Sequence, residues 1–153
     1  MWSNFTENSY QYWMVKALEK VQDEKVEVPV AALIVRDNEI ISSAVNKVES
    51  KNDPTAHAEI IAIREASKEL GNWRLTDCVL YTTLEPCSMC AGAIINSRIS
   101  KIIFGAYDFN MGACGSKINL FNELGKQNQV EVIGGILEEE CGRLLKSIFV
   151  SKR

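Results

Sequence analysis

Histidine is almost absent from this sequence: His57 is the only one, so any imidazole chemistry must pass through that residue. Positive charge is not in excess. Seventeen basic against twenty acidic residues leave a formal net charge of -3, which excludes holding nucleic acid by bulk charge alone but permits a local basic stripe. No stretch approaches the ~18 consecutive apolar residues of a membrane span. Residues 1–7, MWSNFTE, have neither a basic leader nor an apolar run, so secretion is not expected. Only three prolines occur in 153 residues, and no low-complexity tract, repeat or linker interrupts the chain. It reads as one domain over residues 1–153, long enough to bury roughly 70% of its unfolded surface. The 46% hydrophobic and 24% charged residues are the balance of a soluble globular protein. The five cysteines, Cys78, Cys87, Cys90, Cys114 and Cys141, are odd in number. They argue against a disulfide framework and for a reducing, cytoplasmic compartment.

Hydrophobic spacing outlines the elements. Tyr10, Trp13, Met14, Ala17, Leu18 and Val21 recur at helical period behind Ser9, a natural N-cap, which predicts a helix over 9–24. Apolar runs at 31–35 and 40–45 flank Asp37-Asn38 and read as a β-hairpin; 47–52 is polar and reads as a loop. Asp53-Pro54 reads as a helix start, with a capping carboxylate and a proline at the first helical position. That helix is expected to run to Leu70 and stop at Gly71. A strand at 78–83, a short helix at 88–96, strands at 102–106 and 130–133, and a helix at 138–149 with an acidic first turn complete the order. Residues 107–129 read as irregular, with a short helix after Ser116. Strands alternating with helices predict a three-layer α/β/α sandwich around a central mixed sheet of about five strands.

Two segments carry the chemistry: His57-Ala58-Glu59 and Pro86-Cys87-Ser88-Met89-Cys90. Both lie at predicted helix N-termini, where unpaired N–H groups and the positive end of the dipole favour thiolate. One imidazole and two thiolates suit Zn²⁺. Three protein ligands leave the fourth tetrahedral position open for water, as catalytic zinc requires. His57 and Glu59, about 200° apart around a helix, can both reach only a site off its N-terminal end. There Glu59 could exchange protons with the zinc-activated water.

Each feature also has an ordinary reading. Cys87 and Cys90 could pack as small apolar residues, and Glu59 could be an exposed first-turn carboxylate. The ion could instead be closed off structurally by a fourth ligand from Cys78, Cys114 or Cys141. The combination of the lone histidine, a glutamate two residues on and a downstream Pro-Cys-x-x-Cys favours catalysis.

H-x-E followed by P-C-x-x-C is the signature of the zinc-dependent cytosine and adenine deaminases. Longer stretches narrow the resemblance: Asn52-Asp53-Pro54-Thr55-Ala56-His57-Ala58-Glu59-Ile60, Thr83-Leu84-Glu85-Pro86-Cys87-Ser88-Met89-Cys90-Ala91-Gly92-Ala93 and Ser97-Arg98-Ile99. Together with Pro29-Val30, Asn46, Trp73-Arg74-Leu75 and Gly112-Ala113-Cys114-Gly115-Ser116, they resemble the bacterial tRNA-specific adenosine deaminases, from about residue 12 to 145. The resemblance implies the cytidine deaminase-like fold, and hydrolytic deamination of the wobble adenosine in a tRNA anticodon to inosine, with release of ammonia. It implies that His57, Cys87 and Cys90 hold one zinc ion per subunit and that Glu59 moves protons. Asn46 would hydrogen-bond the flipped nucleoside, and the backbone near Ala58 and from Leu84 through Glu85 to Pro86 would line the base pocket. Asp108 would lie on the path of the anticodon loop. The partners implied are a tRNA anticodon stem-loop and a second copy of the chain, as a homodimer, with no membrane. The chain departs from the pattern at Ala31, where the family usually carries glycine. It also departs at Tyr107, Phe109, Asn110 and Met111, where basic residues are frequent, and at the C-terminus, 147–153, which lacks paired aromatics. Fewer cations imply fewer phosphate contacts and a shallower salt dependence, while aromatic replacements could stack loop bases. Deamination of a free nucleobase or nucleoside (cytosine, guanine or adenosine) is the alternative activity, because a small substrate needs no phosphate-binding surface.

Overall fold

Ser9 accepts a hydrogen bond from the Tyr12 amide at 3.1 Å and opens the first helix, α1 (Tyr10–Asp23), as a side-chain N-cap should. The computed structural model describes residues 4–24, 27–124 and 129–152, the side chains of 148–152 excepted. The C-terminal departure at 147–153 therefore lies largely outside the described residues. Trp13, Met14, Ala17, Leu18 and Val21 are buried along one face of α1.

Strands β1 (Ala31–Arg36) and β2 (Glu39–Val45) pair antiparallel. Asp37 and Asn38 between them both take left-handed φ values, 52° and 61°. That is the primed turn whose twist matches the strands it joins. β3 (Val79–Leu84) pairs antiparallel with β1 and parallel with β4 (Lys101–Ala106), and β5 (Glu131–Ile133) pairs parallel with β4. The sheet order is β2-β1-β3-β4-β5, a mixed five-stranded sheet as expected.

The polar stretch expected to be a loop contains one helical turn, α2 (Val48–Lys51), closed by Asn52 in the left-handed conformation. The helix expected from Asp53-Pro54 begins later, as α3 (Ala58–Leu70) with His57 at its N-cap and Gly71 at its C-cap. Asp53 is not free to cap it, because its Oδ1 accepts from the amide and the hydroxyl of Thr55, at 2.8 and 2.7 Å. An Asx turn has replaced the first helical turn. The remaining helices are α4 (Ser88–Asn96), α5 (Leu120–Leu124) and α6 (Glu138–Lys152).

α3 packs across β1 and β2 and touches α4, while α1 and α6 lie against β3 and β4. Ala31 to Val35 are buried at every position, as both-face coverage demands. Ala31, the departure from glycine, sits fully buried within β1. Packing leaves no slack at Gly105 in β4: a Cβ there would stand 2.9 Å from the Cys141 Cβ and 3.0 Å from the Thr83 carbonyl oxygen, and closer still to the Cys141 sulfur. Gly105→Ala is expected to destabilise the fold by about 1–3 kcal/mol through overpacking, read as a lowered urea midpoint. An unchanged midpoint would show that α6 can move away from the sheet at no cost.

The parallel strands β3 and β4 end together, Leu84 opposite Ala106. The loops beyond their carboxyl ends lead into Glu85-Pro86-Cys87 and Tyr107-Asp108. Crevices at such ends are where sheets of this kind bind ligands.

Candidate active site

Two helices point their N-termini at one place. His57 is the N-cap of α3 and Cys87 the N-cap of α4, both with extended backbones, and neither spends its side chain on capping. Their side chains are free to face each other, and Cys90 joins them from the first turn of α4. The His57 Nδ1 lies 3.6 Å from the Cys87 Sγ and 3.5 Å from the Cys90 Sγ. All three donor atoms fall within 4.8 Å of one another. A tetrahedral zinc with Zn–S of about 2.3 Å and Zn–N of about 2.1 Å places sulfur and nitrogen ligands about 3.6 Å apart. The donor set therefore fits zinc in both chemistry and spacing.

The protons of the three groups are coupled. The Cys87 thiol is lowered to about 4, chiefly by a hydrogen bond from Cys90 and further by His57. Cys90 is pushed up, first by that same contact with Cys87 and then by burial. His57 is raised, chiefly by its hydrogen bond with Cys87. These directions favour the thiolate at Cys87, the form that binds a cation. Among the described residues no other group of three or more His, Cys, Asp or Glu could hold an ion. Cys78 and Cys141 are fully buried elsewhere in the core, and all three remaining cysteines are free thiols. Burial pushes Cys141 up to about 12 and raises Cys114 as well, so neither offers a ready thiolate.

Glu59, in the first turn of α3, is only 4% exposed. Burial raises its carboxyl above the usual range, overcoming the helix amide and His57 that pull it down. A carboxyl whose burial favours its protonated form suits the proton-donating half of general acid–base work.

These groups floor a cleft of about 330 Å³ lined by His57, Ala58, Glu59, Cys87, Asn46, Leu84, Asp108, Val30, Val48, Glu27, Val28, Glu49 and Met111. The Asn46 side-chain oxygen is buried and has no hydrogen-bond partner among the described residues. An unpaired buried acceptor costs about 1–3 kcal/mol, a cost that a ligand's donor would remove. Of the residues expected around the base, Asn46, Ala58, Leu84 and Asp108 line the cleft; Glu85 and Pro86 do not. The Glu85 carboxylate turns away, 2% exposed, and takes its donors from the loop after β4.

Sequence reasoning did not find Glu27, Val28, Val48 or Glu49, and named Met111 only as a departure beside Asp108. Glu27 accepts from the Glu49 and Ser50 amides at 2.8 and 2.9 Å, capping α2 from more than twenty residues away, and no local pattern announces such a contact. Asp108 is flanked by two aromatic residues, Tyr107 and Phe109. Phe109 is 75% exposed and stacks on Tyr107 with centroids 6.4 Å apart, while Tyr107 is braced edge-on by Phe104.

Residues 7–106 match the family model of the cytidine and deoxycytidylate deaminase zinc-binding region. The chain is 45% identical over 141 residues to the tRNA-specific adenosine deaminase of Bacillus subtilis, spanning 91% of this chain and 88% of the relative. It is 43% identical over 148 residues to that of Buchnera aphidicola subsp. Schizaphis graminum, spanning 95% and 97%. A solved structure from studies of A-to-I editing by tRNA:A34 deaminases at the wobble position of transfer RNA superposes with a TM-score of 0.80. That structure is 38% identical, with 88% of this chain and 99% of the other covered.

Proposed function

The chain belongs to the tRNA-specific adenosine deaminases, within the cytidine and deoxycytidylate deaminase family, and we propose that it deaminates the wobble adenosine of a tRNA anticodon to inosine through His57, Glu59, Cys87 and Cys90. The observation that carries this reading is the 3.5–3.6 Å convergence of one imidazole nitrogen and two sulfurs beside a buried carboxyl in an open cleft.

His57, Cys87 and Cys90 would hold zinc. Bound there, zinc supplies a Lewis acid that makes water a nucleophile near neutral pH. Glu59 would take one proton of the attacking water and deliver it to N1 of adenine, then carry the proton of the resulting C6 hydroxyl to the departing amine, so that the two water protons end on inosine N1 and in ammonia. Burial raises this carboxyl and so favours its protonated form, the one that donates. Asn46 accepts a hydrogen bond from the nucleoside, and Val30, Val48, Leu84 and Met111 supply the apolar part of the cleft lining. The base must leave its stack to reach this floor, which costs less in an anticodon loop than in a duplex. Phe109, exposed and stacked on Tyr107 next in sequence to the cleft-lining Asp108, supports RNA over a free base, because an exposed aromatic can stack a neighbouring loop base.

The reading extends to a homodimer acting in the cytoplasm, supported by the familial resemblance and by the five free thiols. No described helix is long and apolar enough to cross a membrane. The decisive experiment supplies the zinc-loaded protein separately with an anticodon stem-loop carrying A34 and with free adenosine, cytosine and guanine. Inosine at position 34 is expected; turnover of a small molecule alone would replace this reading with free-base deamination.

Asn46→Ala is expected to lower kcat/KM for the stem-loop by about ten- to a hundredfold, without loss of stability in the unliganded protein. Its carbonyl oxygen has no partner to lose there. Unchanged kcat/KM would remove Asn46 from substrate recognition.

A further inference from the structure

Glu85 carries a buried carboxylate that the chemistry above does not use. It follows β3, its amide donating to the Ala106 carbonyl at 2.8 Å, and its side chain enters the interior at 2% exposure. Nearly all of its hydrogen-bonding capacity is taken by one loop. Its Oε1 accepts from the Asp108 amide at 3.1 Å and from the Ser116 hydroxyl. Its Oε2 accepts from the amides of Cys114 and Ser116, at 3.0 and 3.1 Å. Four donors converging on one carboxylate compensate its burial without a cation, as backbone nests do for anions.

The loop closes around this anchor so tightly that only glycine passes. A Cβ on Gly112 would lie 2.5 Å from the Glu85 carboxyl carbon and nearer still to the Asp108 carbonyl oxygen. The same loop is stitched to the metal-ligand segment, since Gly112 bridges Cys87 and the Ala113 amide donates to the Pro86 carbonyl at 2.8 Å. From this anchorage it projects Asp108 and Met111 into the cleft lining. The Asp108 carboxylate in turn accepts from the amides of Asn110 and Met111.

We propose that Glu85 is a positioning residue for substrate: its carboxylate templates residues 108–116 into the rim of the cleft, so that it governs how well the RNA is held and not the chemical step. The proposal rests on the tRNA deaminase reading. Glu85→Gln preserves size but presents an amide nitrogen where the carboxylate presented an acceptor, leaving loop donors facing a donor.

The test compares the full-length, zinc-loaded wild type and Glu85→Gln on an A34 anticodon stem-loop, with amide hydrogen exchange measured on the same samples. The expected result is a KM raised about tenfold or more, kcat within about threefold, retained zinc, and faster exchange at Cys114 and Ser116 with α3 still protected. An unchanged KM, or a fall confined to kcat, overturns the proposal. If Glu85→Gln does not fold, Ser116→Ala, which removes only the hydroxyl donor, decides: a smaller rise in KM at constant kcat supports it, and no rise overturns it. Absence of inosine in the wild type would refute the underlying activity instead. In that event unaltered exchange at Cys114 and Ser116 overturns the templating role, and faster exchange upholds it.

Discussion

Glu59→Ala is expected to keep its zinc and lose turnover on the stem-loop by about 10²- to 10⁴-fold, the range general acid–base catalysis supplies. The carboxyl stands outside the His57, Cys87 and Cys90 donor set, so metal content measured by mass spectrometry should match the wild type. The loss should appear in kcat, because the proton transfers occur after binding. Glu59→Gln separates this effect from damage to the fold. Burial raises the Glu59 carboxyl in the folded state, so ionising it opposes folding. That contribution favours the native state below the ordinary carboxylate range and is lost as pH rises through the raised value. An uncharged amide of the same shape carries no such cost, so the metal-free Glu59→Gln protein should be no less stable than wild type at neutral pH. A variant both fully folded and fully active would defeat the assignment of Glu59.

Cys87→Ala should release the metal and abolish inosine formation together. The Cys87 thiol is lowered to about 4, which favours the thiolate, and its sulfur lies 3.6 Å from the His57 Nδ1. Without it, two donors remain and the negative charge that offsets the cation is halved. The paired control is Cys141→Ala. Cys141 is fully buried against the sheet, and its substitution should leave the metal in place while costing some packing. A cobalt-substituted wild type should show the absorption of two sulfur ligands. Three sulfur ligands, or retention of metal by Cys87→Ala, would point to a closed structural site and remove the basis for catalysis.

Much of the architecture was legible because it rests on local rules. Ser9 ahead of a 3.6-residue apolar period placed α1 to within a residue at each end. Asp37-Asn38 between two apolar runs placed the hairpin and its turn. The start of α3 was misread for an equally local reason. Asp53-Pro54 has the composition of a helix start, but Thr55 offers the Asp53 carboxylate two donors, and the turn they form ends where His57 begins. That shift frees the imidazole from the helix barrel and lets it lean off the end towards the sulfurs.

The division between sequence and tertiary structure follows chain distance. Chemical identity, namely the only histidine, its neighbouring glutamate, the Cys-x-x-Cys pair and the familial stretches around them, is a property of residues adjacent in the chain, and it was complete before folding. Whether a side chain faces the cleft or the interior is decided by partners twenty or more positions away. Glu85 and Pro86 sit beside Leu84 in sequence, yet only Leu84 lines the cleft. Glu85 is drawn inward by amides at 108, 114 and 116. Glu27 joins the rim because α2 offers it two unpaired N–H groups. A buried carboxylate goes where its donors are, and only the closed sheet, with β3 and β4 ending side by side, brought those donors within reach.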